Sequence, residues 1–196
     1  MNRLLALADA TFGRLARWPI IGLLVLSFLL INVVMFGAIS RFEAAAGGLP
    51  ILELPSVAPP SELGAVARAY PPEAAQIYRT VIQPLDVLFP LAAGLLFGNL
   101  IYLLVAAQLG AGSPWRALSL LGAAACLADY LENIGVFVLL RTAEAPPPGV
   151  ELLIRVVSLV KFGVGIAAVV SIVALLASLL VRRVVRMRVA RVQRPQ

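Results

Sequence analysis

Asp129, Glu132 and Asn133 lie three and four residues apart in an otherwise apolar stretch, a spacing that puts all three side chains on one face of a helix. Further along, again among apolar residues, is Lys161, the only lysine in the chain. An ionisable group at the centre of a membrane helix costs about 2.5 to 3.5 kcal/mol and is by default a functional-site hypothesis. Two carboxylates one helical turn apart suit proton chemistry, because the charge of one drives the other toward its neutral form. They also suit a cation. Asp86, Asp129 and Glu132 against Lys161 and Arg155 leave the cluster one negative charge in excess, which is met by a proton or by a cationic ligand. The same groups fit a purely structural clamp, since polar side chains hold helices together in lipid. The candidate ligand-binding set is therefore Asp86, Asp129, Glu132, Asn133 and Lys161, with Asn32 from an earlier apolar run. None of these residues is assigned a catalytic role.

Much other chemistry is excluded by composition. The chain has no histidine, which removes the usual general base at neutral pH, the commonest metal ligand and the proximal haem ligand. Cys126 is the only cysteine, so neither an intrachain disulfide nor a thiolate zinc cluster can form. There is no glycine-rich dinucleotide fingerprint, no phosphate-binding loop and no nucleophile elbow. The expectation is no metal, no cofactor and no nucleic-acid partner, with enzymatic activity disfavoured.

Positioning the charged residues requires membrane helices. Of the 196 residues, 61% are hydrophobic and 13% charged, about half the charged fraction of a soluble domain, and mean hydropathy is +0.98. Four runs reach the roughly 20 residues a bilayer crossing needs: 19–39, 87–109, 117–140 and 156–181. The expected fold is all-α, a polytopic four-helix bundle forming one transmembrane unit over 1–196. The first run is too long, and followed by too poor a small-residue site, to read as a cleaved signal peptide. Residues 3–17 read as an interfacial helix with Trp18 as its aromatic anchor. The loop 41–83 is too small for its own core and should lie over the bundle as a partly helical cap, with Ser61 and Pro72 opening its short helices. Pro84 and Pro90 are expected to kink or break the entry to the second span.

At about 1.5 Å per residue, Glu132, Asp129, Lys161 and Asn32 lie roughly 12, 17, 8 and 10 Å below the loop-side ends of their spans. Asp86 marks the mouth of the second. The polar groups thus share one half of the bundle, which points to a single polar cavity opening outward beneath the loop. Arginines crowd the other side: Arg3, Arg14 and Arg17, then Arg116, then six between Arg182 and Arg194 in the basic tail 182–196. Both termini are therefore expected to be cytoplasmic, the tail lying against anionic lipid. Fifteen Arg to one Lys suggests a bacterial inner membrane. Nothing in the sequence fixes the oligomeric state, and a homo-oligomer remains open.

Leu85-Asp86-Val87-Leu88-Phe89-Pro90, then Asp129-Tyr130-Leu131-Glu132-Asn133, then Lys161 early in the fourth span, form a combined pattern. It resembles that of a group of small uncharacterised four-helix bacterial membrane proteins, over most of residues 78–162. A fainter likeness is to the emopamil-binding and sigma-2 receptor family, helical-bundle binders of sterols and cationic amphiphiles. There intramembrane carboxylates line a pocket, as the resemblance implies for Asp129 and Glu132 here. The sterol isomerases of that family rely on histidine as well as glutamate, so the likeness implies binding rather than isomerisation. The expected function is binding of a lipid-like or cationic small molecule within the bundle. The alternatives are a proton- or cation-coupled transporter or channel subunit, a structural assembly subunit, and an intramembrane enzyme using Glu132 or Asp129.

Overall fold

The computed structural model describes residues 2–53 and 62–192, and every regular element among them is helical. In chain order these are α1 (Asn2–Phe12), α2 (Trp18–Ala46), α3 (Leu63–Ala69), α4 (Pro72–Ile77), α5 (Gln83–Leu109), α6 (Leu120–Arg141) and α7 (Val150–Val192). A π-helical turn, Tyr78–Ile82, joins α4 to α5, and a 3-10 turn, Pro114–Ser119, leads into α6. Four helical rods are long and apolar enough to cross a bilayer: Trp18–Ala46, Pro72–Leu109, Pro114–Arg141 and Val150–Val185. The protein is a multi-pass membrane protein built as an all-α bundle.

The helices outrun the apolar runs that announce them. An apolar count stops at the first charge, but Arg41, Glu43 and Ala44 to Ala46 are compatible with helix, so α2 continues until Gly47 turns the chain at φ 61°. The extra turns carry Phe42 and Ala46 into the core. The prolines also fail to break the second span, which runs as one rod of 38 residues. Just before Pro84 the chain widens into the π turn, where the Gln83 N–H reaches back to the Tyr78 carbonyl and shifts the hydrogen-bond register. Pro90 lies inside α5 and leaves the Asp86 carbonyl without its helical donor. A side chain of α6 supplies the missing donor, as described below.

α5 and α6 form the centre, α7 packs along α6 and α5, and α2 leans on α5 and α4. Small residues set the central distance: a Cβ added at Gly94 would lie 2.7 Å from both the Gly122 carbonyl oxygen and the Cys126 Cβ. Without side chains there the backbones approach closely, the membrane substitute for hydrophobic driving force. α2 and α7, by contrast, turn most of their apolar side chains outward to the hydrocarbon.

At the loop end, Ile51, Leu52 and Leu63 join Phe42, Tyr70, Tyr78, Val136, Leu139 and Ile154 in one core. Phe42 meets Tyr70 and Tyr78 edge-on, with ring centroids 5.1 and 5.5 Å apart, and the two tyrosines stack at 5.9 Å. Polar ties fasten α3 to the helix ends: Gly64 N–H donates to Glu151 Oε1 at 2.6 Å, and Arg68 donates to the Ala143 carbonyl. The loop thus covers the bundle there; Leu54 and the expected cap Ser61 lie outside the described residues. At the tail end α1 inserts Ala8 and Phe12 completely, while Leu4, Leu7 and Trp18 stay exposed. Its Asp9 carboxylate accepts hydrogen bonds from Arg116, at 2.6 Å, and from the Tyr102 hydroxyl, at 2.8 Å.

Candidate functional site

The one-turn spacing on α6 and the lysine on α7 bring three charges together. Lys161 Nζ lies 3.4 Å from Asp129 Oδ1 and pairs closely with Glu132 Oε2. Glu132 is fully buried, and its other oxygen accepts from the hydroxyl of Ser158, which is also fully buried one turn before Lys161 on α7. Asp129 is 6% exposed. Burying these charges is costly, and Coulomb attraction of both acids to the same ammonium offsets part of that cost.

Asp86 and Asn133 meet nearer the loop end. Asn133 Nδ2 donates to the Asp86 main-chain oxygen at 2.7 Å, taking the acceptor that Pro90 leaves vacant. One residue on, the Val87 carbonyl accepts from the Tyr130 hydroxyl at 2.8 Å. The Asp86 side chain faces the loop-side space that the carboxyl of Glu53, from the loop, also lines. Glu53 in turn accepts from the Tyr78 hydroxyl at 2.6 Å. Burial first, then the charge of Asp86, pushes the Glu53 carboxyl up to about 8.

Asn32 is not part of either group. Its amide donates to the Phe28 carbonyl of its own helix, at 2.7 Å, and it lines neither of the cavities beside the charges. Depth alone placed it with the others, but α2 sits outside α5 and presents only a half-buried stripe to it.

The single polar cavity expected from the sequence is replaced by two mainly apolar ones, stacked along the α5–α6 seam. The loop-side cavity, about 300 Å³, is lined by Glu53, Gln83, Asp86, Tyr130, Asn133 and Phe137 with neighbouring apolar residues. The deeper one, about 440 Å³, has Asp129 and Lys161 at its polar end and Phe28, Phe89, Phe97 and Phe162 among its walls. The reason for the difference is that Asp129, Glu132, Lys161 and Ser158 engage one another, leaving mostly hydrocarbon to line the space.

Glu53, Tyr78 and Ser158 were not singled out from the sequence. Ser158 was legible, one helical turn from Lys161 on the same face. The only sign of Glu53 was an acid flanked by leucines in Ile51-Leu52-Glu53-Leu54. Among the described residues no group of three or more His, Cys, Asp and Glu side chains is arranged to hold a metal ion. No protein-family model, curated protein or solved structure matches the chain, so the reading of this site rests on its own geometry.

Proposed function

We propose that the protein is a small-molecule binder of the bacterial inner membrane, with both termini cytoplasmic, that holds a lipid-like or cationic amphiphile between its helices. The observation that carries this reading is the deeper cavity. Its walls are aromatic and aliphatic, its end is charged, and its rim residues Ile166 and Val170 are exposed on the surface that meets lipid. An amphiphile can enter sideways from the bilayer with its polar group toward Asp129 and Lys161. The arginine asymmetry supports the orientation and an anionic-lipid contact for the tail. The combined Asp86, Asp129-Glu132-Asn133 and Lys161 pattern supports kinship with the small four-helix membrane proteins it resembles.

Glycine substitutions test the reading cleanly. A Cβ at Gly163 or Gly165 meets nothing within 4 Å, yet only Gly165 lines the deeper cavity. Gly165→Leu should fold and lose the lipid adducts that native mass spectrometry detects on the wild type, while Gly163→Leu retains them. Equal adducts on all three proteins would sink the proposal.

A second reading has a specific observation in its favour. Lys161 reaches both carboxylates and Ser158 completes Glu132, so the charged group also works as an interhelical clamp. Loss of the clamp predicts changed stability with unchanged adducts, which separates it from the binding reading.

A further inference from the structure

The loop-side cavity is rich in acceptors that have no donor, while most of the donors around it are engaged. Asn133 Nδ2 is committed to the Asp86 carbonyl, the Tyr130 hydroxyl to the Val87 carbonyl, and the neighbouring Tyr78 hydroxyl to Glu53. What remains around the polar end is the carboxyl pair Glu53 and Asp86, and Asn133 Oδ1, a buried oxygen without a hydrogen-bond partner. A buried acceptor left unpaired costs about 1 to 3 kcal/mol, which a ligand donor would recover.

Charge points the same way. Lys161 is taken up by Asp129 and Glu132 lower in the bundle, and among the described residues no lysine or arginine pairs with Glu53 or Asp86. Both carboxyls line the same small space, and an ammonium placed between them would answer both. Tyr130 and Phe137 give the cavity aromatic walls, whose ring faces attract cations, and the exposed Arg141 already sits 4.3 Å over the Phe137 ring. The rest of the lining is Gln83 with the apolar Val87, Ile134 and Val136, and the space is about 300 Å³, at the small end of ligand pockets and far more than a bare ion needs.

We infer that the loop-side cavity is a subsite for a primary alkyl- or arylalkylammonium, whose N–H groups meet Asp86, Glu53 and Asn133 Oδ1 while its apolar body lies between Tyr130 and Phe137. The inference rests on the ligand-binding reading above and names its chemical class. A quaternary ammonium carries the charge without the donors, and an alcohol carries a donor without the charge, so both should be poor substitutes.

The test uses the full-length protein in phosphatidylcholine nanodiscs, titrated calorimetrically with octylammonium, octyltrimethylammonium, 1-octanol and octanoate. Octylammonium should bind at least tenfold more tightly than the other three. Glu53→Gln and Asp86→Asn should each weaken it tenfold or more, and Glu53→Gln, in the loop, serves alone if the Asp86 variant fails to fold. Gly163→Leu, which lines neither cavity, should leave the octylammonium affinity unchanged. Equal binding of octanol and octylammonium, or indifference to Glu53→Gln, overturns the ammonium assignment and leaves the lipid reading intact. Lipid adducts that survive Gly165→Leu overturn the lipid reading while octylammonium selectivity persists. No binding of any probe overturns the ammonium site.

Discussion

The amide nitrogen of Asn133 lies 2.7 Å from the main-chain oxygen of Asp86, the carbonyl that a proline one turn later deprives of its helical partner. Two features that look unrelated in the sequence, a proline in a membrane helix and an asparagine in its neighbour, are thus one interaction. Asn133→Leu should cost about 1 to 3 kcal/mol by leaving a buried carbonyl unpaired. Pro90→Ala in the same background should recover part of that, because alanine restores the N–H. Unfolding in detergent of the four members of the cycle checks this, and additive losses would show that the proline and the asparagine are uncoupled.

Lys161→Met removes the cation from between two buried acids and should destabilise by about 3 to 5 kcal/mol. Adding Glu132→Gln should return a good part of it, since the stranded charge is then gone. The same thermal-unfolding cycle reads the coupling; additive losses would mean that Glu132 does not feel Lys161.

Glu53 carries a pH signature. Its carboxyl is raised from 4.5 to about 8 by burial and then by Asp86, with Tyr78, Tyr70, Glu132 and Lys161 also facing this region. The folded state therefore holds a proton that the unfolded chain releases, so this contribution to stability is complete below about 4.5 and declines as pH rises toward 8. The wild type should lose stability across that window relative to Glu53→Gln. Parallel stability curves for the two proteins would show that Glu53 titrates normally.

The helix seam is intolerant of bulk. A Cβ at Gly122 would run into the backbone of Gly94 and Gly98, whereas one at Gly163 meets open space. Gly122→Ala should cost about 1 to 3 kcal/mol or more through overpacking, and Gly163→Ala should be neutral or slightly stabilising through helix propensity. Melting temperatures of the two variants decide the matter.

The parts of this molecule that could be read from sequence are those governed by short-range periodicity. Asp129, Glu132 and Lys161 meet because helical spacing and rise fix both face and depth, and the four rods follow from apolar length. Asn32 obeyed the same depth rule and still missed, because depth says nothing of which helix is a neighbour. Glu53 was invisible for the converse reason: its position comes from the loop's tertiary packing on Phe42 and Tyr78, which no local pattern encodes. The prolines distort the span without breaking it, because a wide turn before Pro84 and a neighbouring side chain opposite Pro90 take up the lost hydrogen bonds.

α2 has buried side chains only toward its ends, at Ile21 and at Ala38, Phe42 and Ala46, and is half-buried along the stripe Leu24, Phe28, Ile31 and Met35 between them. Its loop end is knotted into the aromatic core, and its other end follows α1, which Phe12 and Asp9 pin to the bundle. Mechanically this is a beam clamped at both supports, which deflects most at midspan. Midspan is where Phe28 closes one wall of the deeper cavity. The width of that opening is therefore fixed by how straight one helix runs between its two anchored ends.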